Sequence, residues 1–99
     1  MKEISKVREL TGDNSHASIK ELIGKSFLEK QKILQYLKSF EADCAAGMLL
    51  IDEITGKETS NSVMGYEDGV YYWDTREIYH FEKYDMELQD DFIEYIMKM

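Results

Sequence analysis

Apolar positions in this chain change their spacing from one end to the other, and the changes mark the elements. Ile4, Val7 and Leu10 recur at helical spacing and predict a short first helix, interrupted by Thr11-Gly12-Asp13-Asn14. A second short helix is expected over about Ala17 to Ile23, ending at Gly24, a residue suited to the left-handed position beyond a helix end. Ser26 and Glu29 then form an S-x-x-E capping box. After it Phe27, Leu28, Ile33, Leu34, Leu37 and Phe40 supply the apolar side of a helix reaching about Ser39.

The period changes at Ala45-Ala46-Gly47-Met48-Leu49-Leu50-Ile51, which is too short and too apolar for another amphipathic helix and reads as a buried strand. Thr55-Gly56-Lys57 turns the chain. Val63, Met64 and Tyr66 lead into Asp68-Gly69, followed at once by Val70-Tyr71-Tyr72-Trp73, and Asp-Gly between β-prone runs predicts a hairpin. Alternation along its second strand puts Tyr71 and Trp73 on one face and Val70 and Tyr72 on the other, with Tyr72 the more exposed. Asp74 or Thr75 can cap the next helix, whose stripe is Ile78, Phe81 and Tyr84. Leu88 bridges to a last helix from about Gln89 to Met97, with Phe92, Ile93, Ile96 and Met97 inward and Asp90 and Asp91 in the first turn. The expected architecture is a single α+β domain over residues 1–99: N-terminal helices, a small three-stranded antiparallel sheet and two C-terminal helices.

Charge adds an asymmetry that the pattern alone does not show. Of the formal net charge of -8, residues 1–40 hold eight Lys/Arg against five Asp/Glu, and residues 41–99 hold four against fifteen. Such a field draws in a basic partner and opposes binding to nucleic acid and anionic membrane. No apolar run approaches the roughly 18 residues of a membrane span, the first residues lack a signal peptide's apolar core, and a lone Cys44 forms no internal disulfide, so a cytoplasmic setting is expected.

Candidate chemistry is sparse. Nucleophilic catalysis by Cys44 needs a base, and only His16 and His80 exist; a cysteine opening an apolar strand reads instead as a small core residue. Glu77 and His80 have the E-x-x-H spacing of a carboxylate-imidazole metal site, but it occurs once, and di-metal bundles use it twice. His80 is therefore expected at a partly exposed helix position. Gly56-Lys57 lacks the Ser or Thr and the upstream glycine of a phosphate loop, and Asp52-Glu53 lacks the alternating oxygens of a calcium loop and reads as a solvated hairpin end. No metal or cofactor is expected. The Gly-broken helix pair with Lys20, Lys25, Lys30 and Lys32 suggests a helix-turn-helix, but its second helix commits its apolar residues to packing and the rest of the chain repels phosphate.

Six of the seven tyrosines and the only tryptophan fall between Tyr66 and Tyr95, among ten carboxylates and only two bases, Arg76 and Lys83. Tyr and Trp offer rigid contact area and carboxylates recognise Arg and Lys, so Glu67, Asp68, Tyr72, Asp74, Asp85, Glu87, Asp90 and Asp91 are the candidate binding residues. The competing reading makes the aromatics core and the carboxylates their solvated coat.

At these residues the chain resembles a family of small, largely uncharacterised bacterial proteins with the pattern D-G-x-Y-x-W, then Y, K-Y, L and F-I. Here those are Asp68, Gly69, Tyr71, Trp73, Tyr79, Lys83, Tyr84, Leu88, Phe92 and Ile93; Tyr36-Leu37-Lys38 and Thr55-Gly56-Lys57-Glu58 extend the likeness over about residues 33–96. The family tends to proline where this chain has Asp74 and Gln89, and to an aromatic at His80, so His80 inherits no role. The resemblance implies a shared fold and no enzyme activity. In size and acidity the chain is also similar to bacterial immunity proteins that neutralise toxins. The expectation is a non-catalytic protein-binding domain that docks a basic protein, concretely an immunity-type inhibitor of a nuclease-like toxin. The alternatives are a regulatory or adaptor domain that self-associates as a homodimer through its helices, and a small Cys/His enzyme.

Overall fold

The protein is described by a computed structural model, in which residues 1–25 and 28–99 are described. The element order is β1 (Lys2–Glu3), α1 (Arg8–Thr11), a 3-10 turn (Ile19–Glu21), α2 (Lys30–Lys38), β2 (Cys44–Ile51), β3 (Glu58–Glu67), β4 (Tyr71–Asp74), α3 (Thr75–Tyr84) and α4 (Asp90–Met97). The α+β class and the two C-terminal helices are as the pattern predicts. The sheet is not: it has four strands in the order β1-β4-β3-β2, with β1 parallel to β4 and the other pairs antiparallel.

The fourth strand comes from the segment expected to be helical. Ile4 and Val7 are buried as the stripe requires. The backbone there is extended, however, with Lys2 opposite Tyr71 and Glu3 opposite Tyr72, and only Arg8–Thr11 closes a helical turn before Gly12 at φ +76°. A three-residue spacing over so short a stretch does not separate a helix from an extended segment whose next apolar residue follows a bend. Similarly, Ala17–Ile23 condenses to the 3-10 turn, capped by Ser18 and Glu21 in a second S-x-x-E box. The box expected at Ser26 and Glu29 lies partly outside the described residues; α2 begins after Glu29, whose side chain makes no capping bond, and ends at Ser39.

The helices pack on the sheet face that carries Tyr71 and Trp73. Ile33, Leu34 and Leu37 of α2, Ile78 and Phe81 of α3, Phe92 and Ile96 of α4 and the N-terminal Ile4, Val7 and Leu10 close over those two rings. Tyr66, directly opposite Trp73 in the ladder, stacks on it at 6.4 Å between ring centroids, and Phe40 meets its edge at 5.4 Å. Directly opposed residues share a face, so this row is the inner one. Trp73 and Tyr71 are thus core, as the bland reading of the aromatics has it.

The Asp68-Gly69 hairpin forms as expected. Gly69 takes φ +92°, and the Asp68 carboxylate accepts from the amides of Val70 (2.8 Å) and Tyr71 (2.7 Å) and from the Tyr36 hydroxyl (2.5 Å). Burial opposes ionisation of Asp68, but those three donors outweigh it and hold its carboxyl below the ordinary range.

Two expectations about burial are overturned. β2 is not a buried strand: it is the edge of the sheet, and of its residues only Leu50 is buried. An uninterrupted apolar run says that a strand can be buried on both faces, not that the fold supplies the cover. Asp52 is not solvated and His80 is not partly exposed; both are buried at the junction of the β2–β3 turn with α3. There Asp52 accepts from the hydroxyls of Tyr79 (2.6 Å) and Tyr84 (2.5 Å) and the amides of Ile54 (2.9 Å) and Thr55 (3.0 Å), with the Lys83 ammonium at 3.7 Å.

Candidate interaction site on the open face of the sheet

The second sheet face, on which Cys44, Glu67 and Tyr72 are exposed, holds a row set by the ladder. Glu3 and Glu67 flank Tyr72 across the strands, and Asp74, Gly65 and Cys44 form the next row. Because side chains alternate, these residues face away from Tyr71 and Trp73. Tyr72 is 39% exposed, as alternation predicts, and its hydroxyl donates to Glu3 at 2.9 Å. Gly65 leaves a gap in this surface. A Cβ placed there would stand 2.8 Å from Cys44 Sγ, so the missing side chain lets the thiol lie over the strand. Cys44 is consequently exposed and is not the small core residue expected.

The gap opens into a groove of about 390 Å³. Met1, Cys44, Ala46 and Tyr72 give it an apolar lining, and Asp43, Glu67 and Asp74 supply carboxylates. Among the described residues no lysine or arginine lines it. Asp74 has two further functions. Its carboxylate caps α3 through the Arg76 amide (2.8 Å) and takes the Arg76 guanidinium on both oxygens, at 3.0 Å from Nε and 2.8 Å from Nη2.

Behind Asp74 lies Glu77, only 6% exposed, with one carboxyl oxygen lacking a hydrogen-bond partner among the described residues. Burial, reinforced by the neighbouring Asp74 carboxylate, pushes its carboxyl well above the ordinary value; the Arg76 guanidinium opposes that shift. Asp74 thus holds the guanidinium on its two oxygens, and Glu77 is enclosed beside it with its proton affinity raised. The sequence marks Glu77 by its spacing to His80, by its place three residues after the capping Asp74 and as one of the acids of this half, but none of these signals shows that folding encloses it.

His80 is engaged elsewhere. Its Nδ1 stands 2.7 Å from the Arg76 carbonyl and its Nε2 accepts from the Glu53 amide at 3.0 Å, which fixes the neutral tautomer with the proton on Nδ1. Both nitrogens are taken by backbone, so neither is free to act as a base on Cys44. The Glu77–His80 spacing likewise brings no metal site: no cluster of three potential ligands occurs among the described residues.

The remaining candidates divide by location. Glu67, Tyr72 and Asp74 line the groove, and Asp68 anchors the hairpin. Asp85, Glu87, Asp90 and Asp91 lie along α4 and the loop before it, facing the lysines of the first forty residues. Lys30 holds Asp85, Lys6 and Lys25 reach Glu87 at 3.5 and 3.9 Å, and Lys6 reaches Asp90 at 3.9 Å. Lys2 stands 4.0 Å from Asp91, which also accepts from the Tyr71 hydroxyl at 3.1 Å. Much of the sequence's charge asymmetry is thus matched inside one molecule.

No protein-family model matches the chain, and neither the curated proteins nor the solved structures contain a significant match. No helix among the described residues is long and apolar enough to cross a membrane.

Proposed function

We propose that the protein is a non-catalytic binding domain that docks a basic protein surface in the groove on the open sheet face, as an immunity-type inhibitor of a cationic, nuclease-like toxin would. The observation that carries this reading is the groove's composition: an apolar floor with Tyr72 at its side, carboxylates at Asp43, Glu67 and Asp74, and no cationic lining residue among those described. A lysine or arginine with its aliphatic stem fits such a surface, because the stem covers apolar atoms while the head meets carboxylates. Asp85, Glu87, Asp90 and Asp91 serve this partner at longer range. The pairs of Asp90 and Asp91 have exposed carboxylates and are worth little each, so they can exchange, whereas Asp85 and Glu87 sit half-buried on Lys30 and Lys6; the net charge of -8 steers association in either case.

The resemblance pattern supports the fold more than the site. Asp68, Gly69, Tyr71, Trp73 and Phe92 build the hairpin and core, and Tyr79, Lys83 and Tyr84 surround Asp52. Glu67 and Tyr72, which meet the groove, lie outside that pattern.

The experiment is stopped-flow association of the native chain, and of Glu67→Lys and Tyr72→Ala variants, with a cationic protein recovered by affinity capture. The on-rate should fall steeply with ionic strength, and both variants should weaken binding, Glu67→Lys mainly through the on-rate and Tyr72→Ala through the off-rate. An on-rate indifferent to salt, or affinity unchanged in both variants, overturns the reading.

A further inference from the structure

β2 stands at one edge of the sheet, with its outer side unpaired among the described elements, and Met48, Leu49 and Ile51 on it are 49%, 40% and 44% exposed. An edge with these features is a template for another strand unless it is guarded by lysine, proline, shortness or a bulge. Of those guards β2 has one. Gly47, at φ +72°, sits where the register slips between Ala45 and Leu49, and a second slip falls between Leu49 and Ile51; both twist the strand but leave Met48, Leu49 and Ile51 exposed on it. The opposite edge is guarded: β1 is two residues long and both are charged.

We propose that β2 is a self-association edge, where two copies of this chain pair β2 against β2, antiparallel about a two-fold axis, and join their sheets. Three observations select a second copy as the occupant. β2 is the only described element without an Asp, Glu, Lys or Arg, so two molecules each carrying -8 meet there with the least repulsion. A basic partner strand would gain nothing from that lack of charge. Two-fold antiparallel pairing about an axis at Leu50 sets Leu49 of one copy beside Ile51 of the other and Ile51 beside Leu49, so the exposed apolar side chains cover one another. Finally, the short charged β1 edge stops further addition, and the assembly closes as a dimer.

Pairing through a single eight-residue strand makes a narrow interface, smaller than the roughly 1,200 Å² of a stable standard complex, so the dimer is weak. This inference does not rest on the groove reading, and its salt dependence runs the other way. Screening removes the repulsion between two acidic copies and strengthens the dimer, whereas it weakens capture of a cation.

Sedimentation equilibrium of the full chain, from micromolar to near-millimolar protein at low and high salt, tests it. The expected result is a monomer–dimer equilibrium that shifts toward dimer as salt rises, with Leu49→Lys and Met48→Lys each weakening it by about tenfold or more while the circular dichroism is unchanged. Amide exchange within residues 44–51 of the unaltered protein should slow as concentration rises, a readout that needs no variant to fold. A protein monomeric under every condition, a dimer indifferent to both substitutions, or concentration-dependent protection on the helices in place of β2 overturns it.

Discussion

Replacing Glu77 by glutamine should stabilise this protein at neutral pH and leave it unchanged in mild acid. The carboxyl is almost wholly enclosed, one oxygen has no partner among the described residues, and burial with Asp74 beside it raises its proton affinity. In the unfolded chain the same group titrates near its ordinary value of 4.5. As pH rises above that value the unfolded chain releases the proton and the folded protein retains it, so stability falls until the pH passes the folded-state value. Each pH unit in that window removes about 1.4 kcal/mol. The attraction of Arg76 and relaxation around the pair limit the loss, which is expected at about 1–2 kcal/mol, the usual cost of one enclosed polar group without a full set of partners.

Glutamine mimics the protonated acid in shape and can donate to Asp74 in the same way, but it has no proton to lose. Urea unfolding followed by circular dichroism should therefore give coincident curves for the two proteins at about pH 4.5 and a gain of about 1–2 kcal/mol for Glu77→Gln at about pH 7, with the slope against urea unchanged. Subtracting variant from wild type removes every other titrating group. Two stability curves that run parallel across that range, or a variant less stable at neutral pH, would show that Glu77 is ionised in the folded protein, and the protonated reading would be wrong.

Removing the carboxylate at Asp52 has the opposite sign. Burial works against its ionisation, but two tyrosine hydroxyls and two amides outweigh burial and hold its carboxyl below the ordinary 3.8, so its contribution is full above that pH and is lost as pH falls through the folded-state value. Asp52→Ala should cost about 3 kcal/mol in urea unfolding at neutral pH, because four donors lose one acceptor; a cost under about 1 kcal/mol would mean that water replaces it. Asp68→Ala should cost about 2 kcal/mol by the same assay, since the hairpin loses the acceptor for Val70, Tyr71 and Tyr36. Gly65→Ala should leave stability within about 1 kcal/mol, because the exposed Cys44 thiol can turn aside, yet it fills the groove floor. Calorimetric titration with the captured cationic partner should therefore show weakened binding, and unchanged affinity would remove the groove from the interface.

Legibility in the sequence followed the range of each signal. The Asp68-Gly69 hairpin, the Asp74 cap and the amphipathic helices after it are local features, set by residues within a few positions of one another, and they fold as read. The first strand was not legible because Lys2–Glu3 becomes a strand only by pairing with Tyr71 and Tyr72, some seventy residues on. The exposure of β2 was hidden for a related reason. Its composition says how much burial it tolerates, and the burial it receives depends on the sheet order. Asp52 and His80 show the same limit: each is a polar residue beside a turn or on a helix, and only the docking of the β2–β3 turn onto α3 encloses them together.

The candidate site follows that division, and the charges make it concrete. A net charge of -8 concentrated after residue 40 reads as a single acidic face, yet folding brings Lys2, Lys6, Lys25 and Lys30 onto the carboxylates of residues 85–91. Carboxylates that already face cations of their own chain must exchange partners to hold another protein, and each exchange returns little net energy. At the groove Asp74 is likewise held, by Arg76, but Asp43 and Glu67 have no such competitor among the described residues. Glu67 and Tyr72 are therefore the positions at which a single substitution should change binding most, whereas a lone substitution at Asp90 or Glu87 alters mainly the approach.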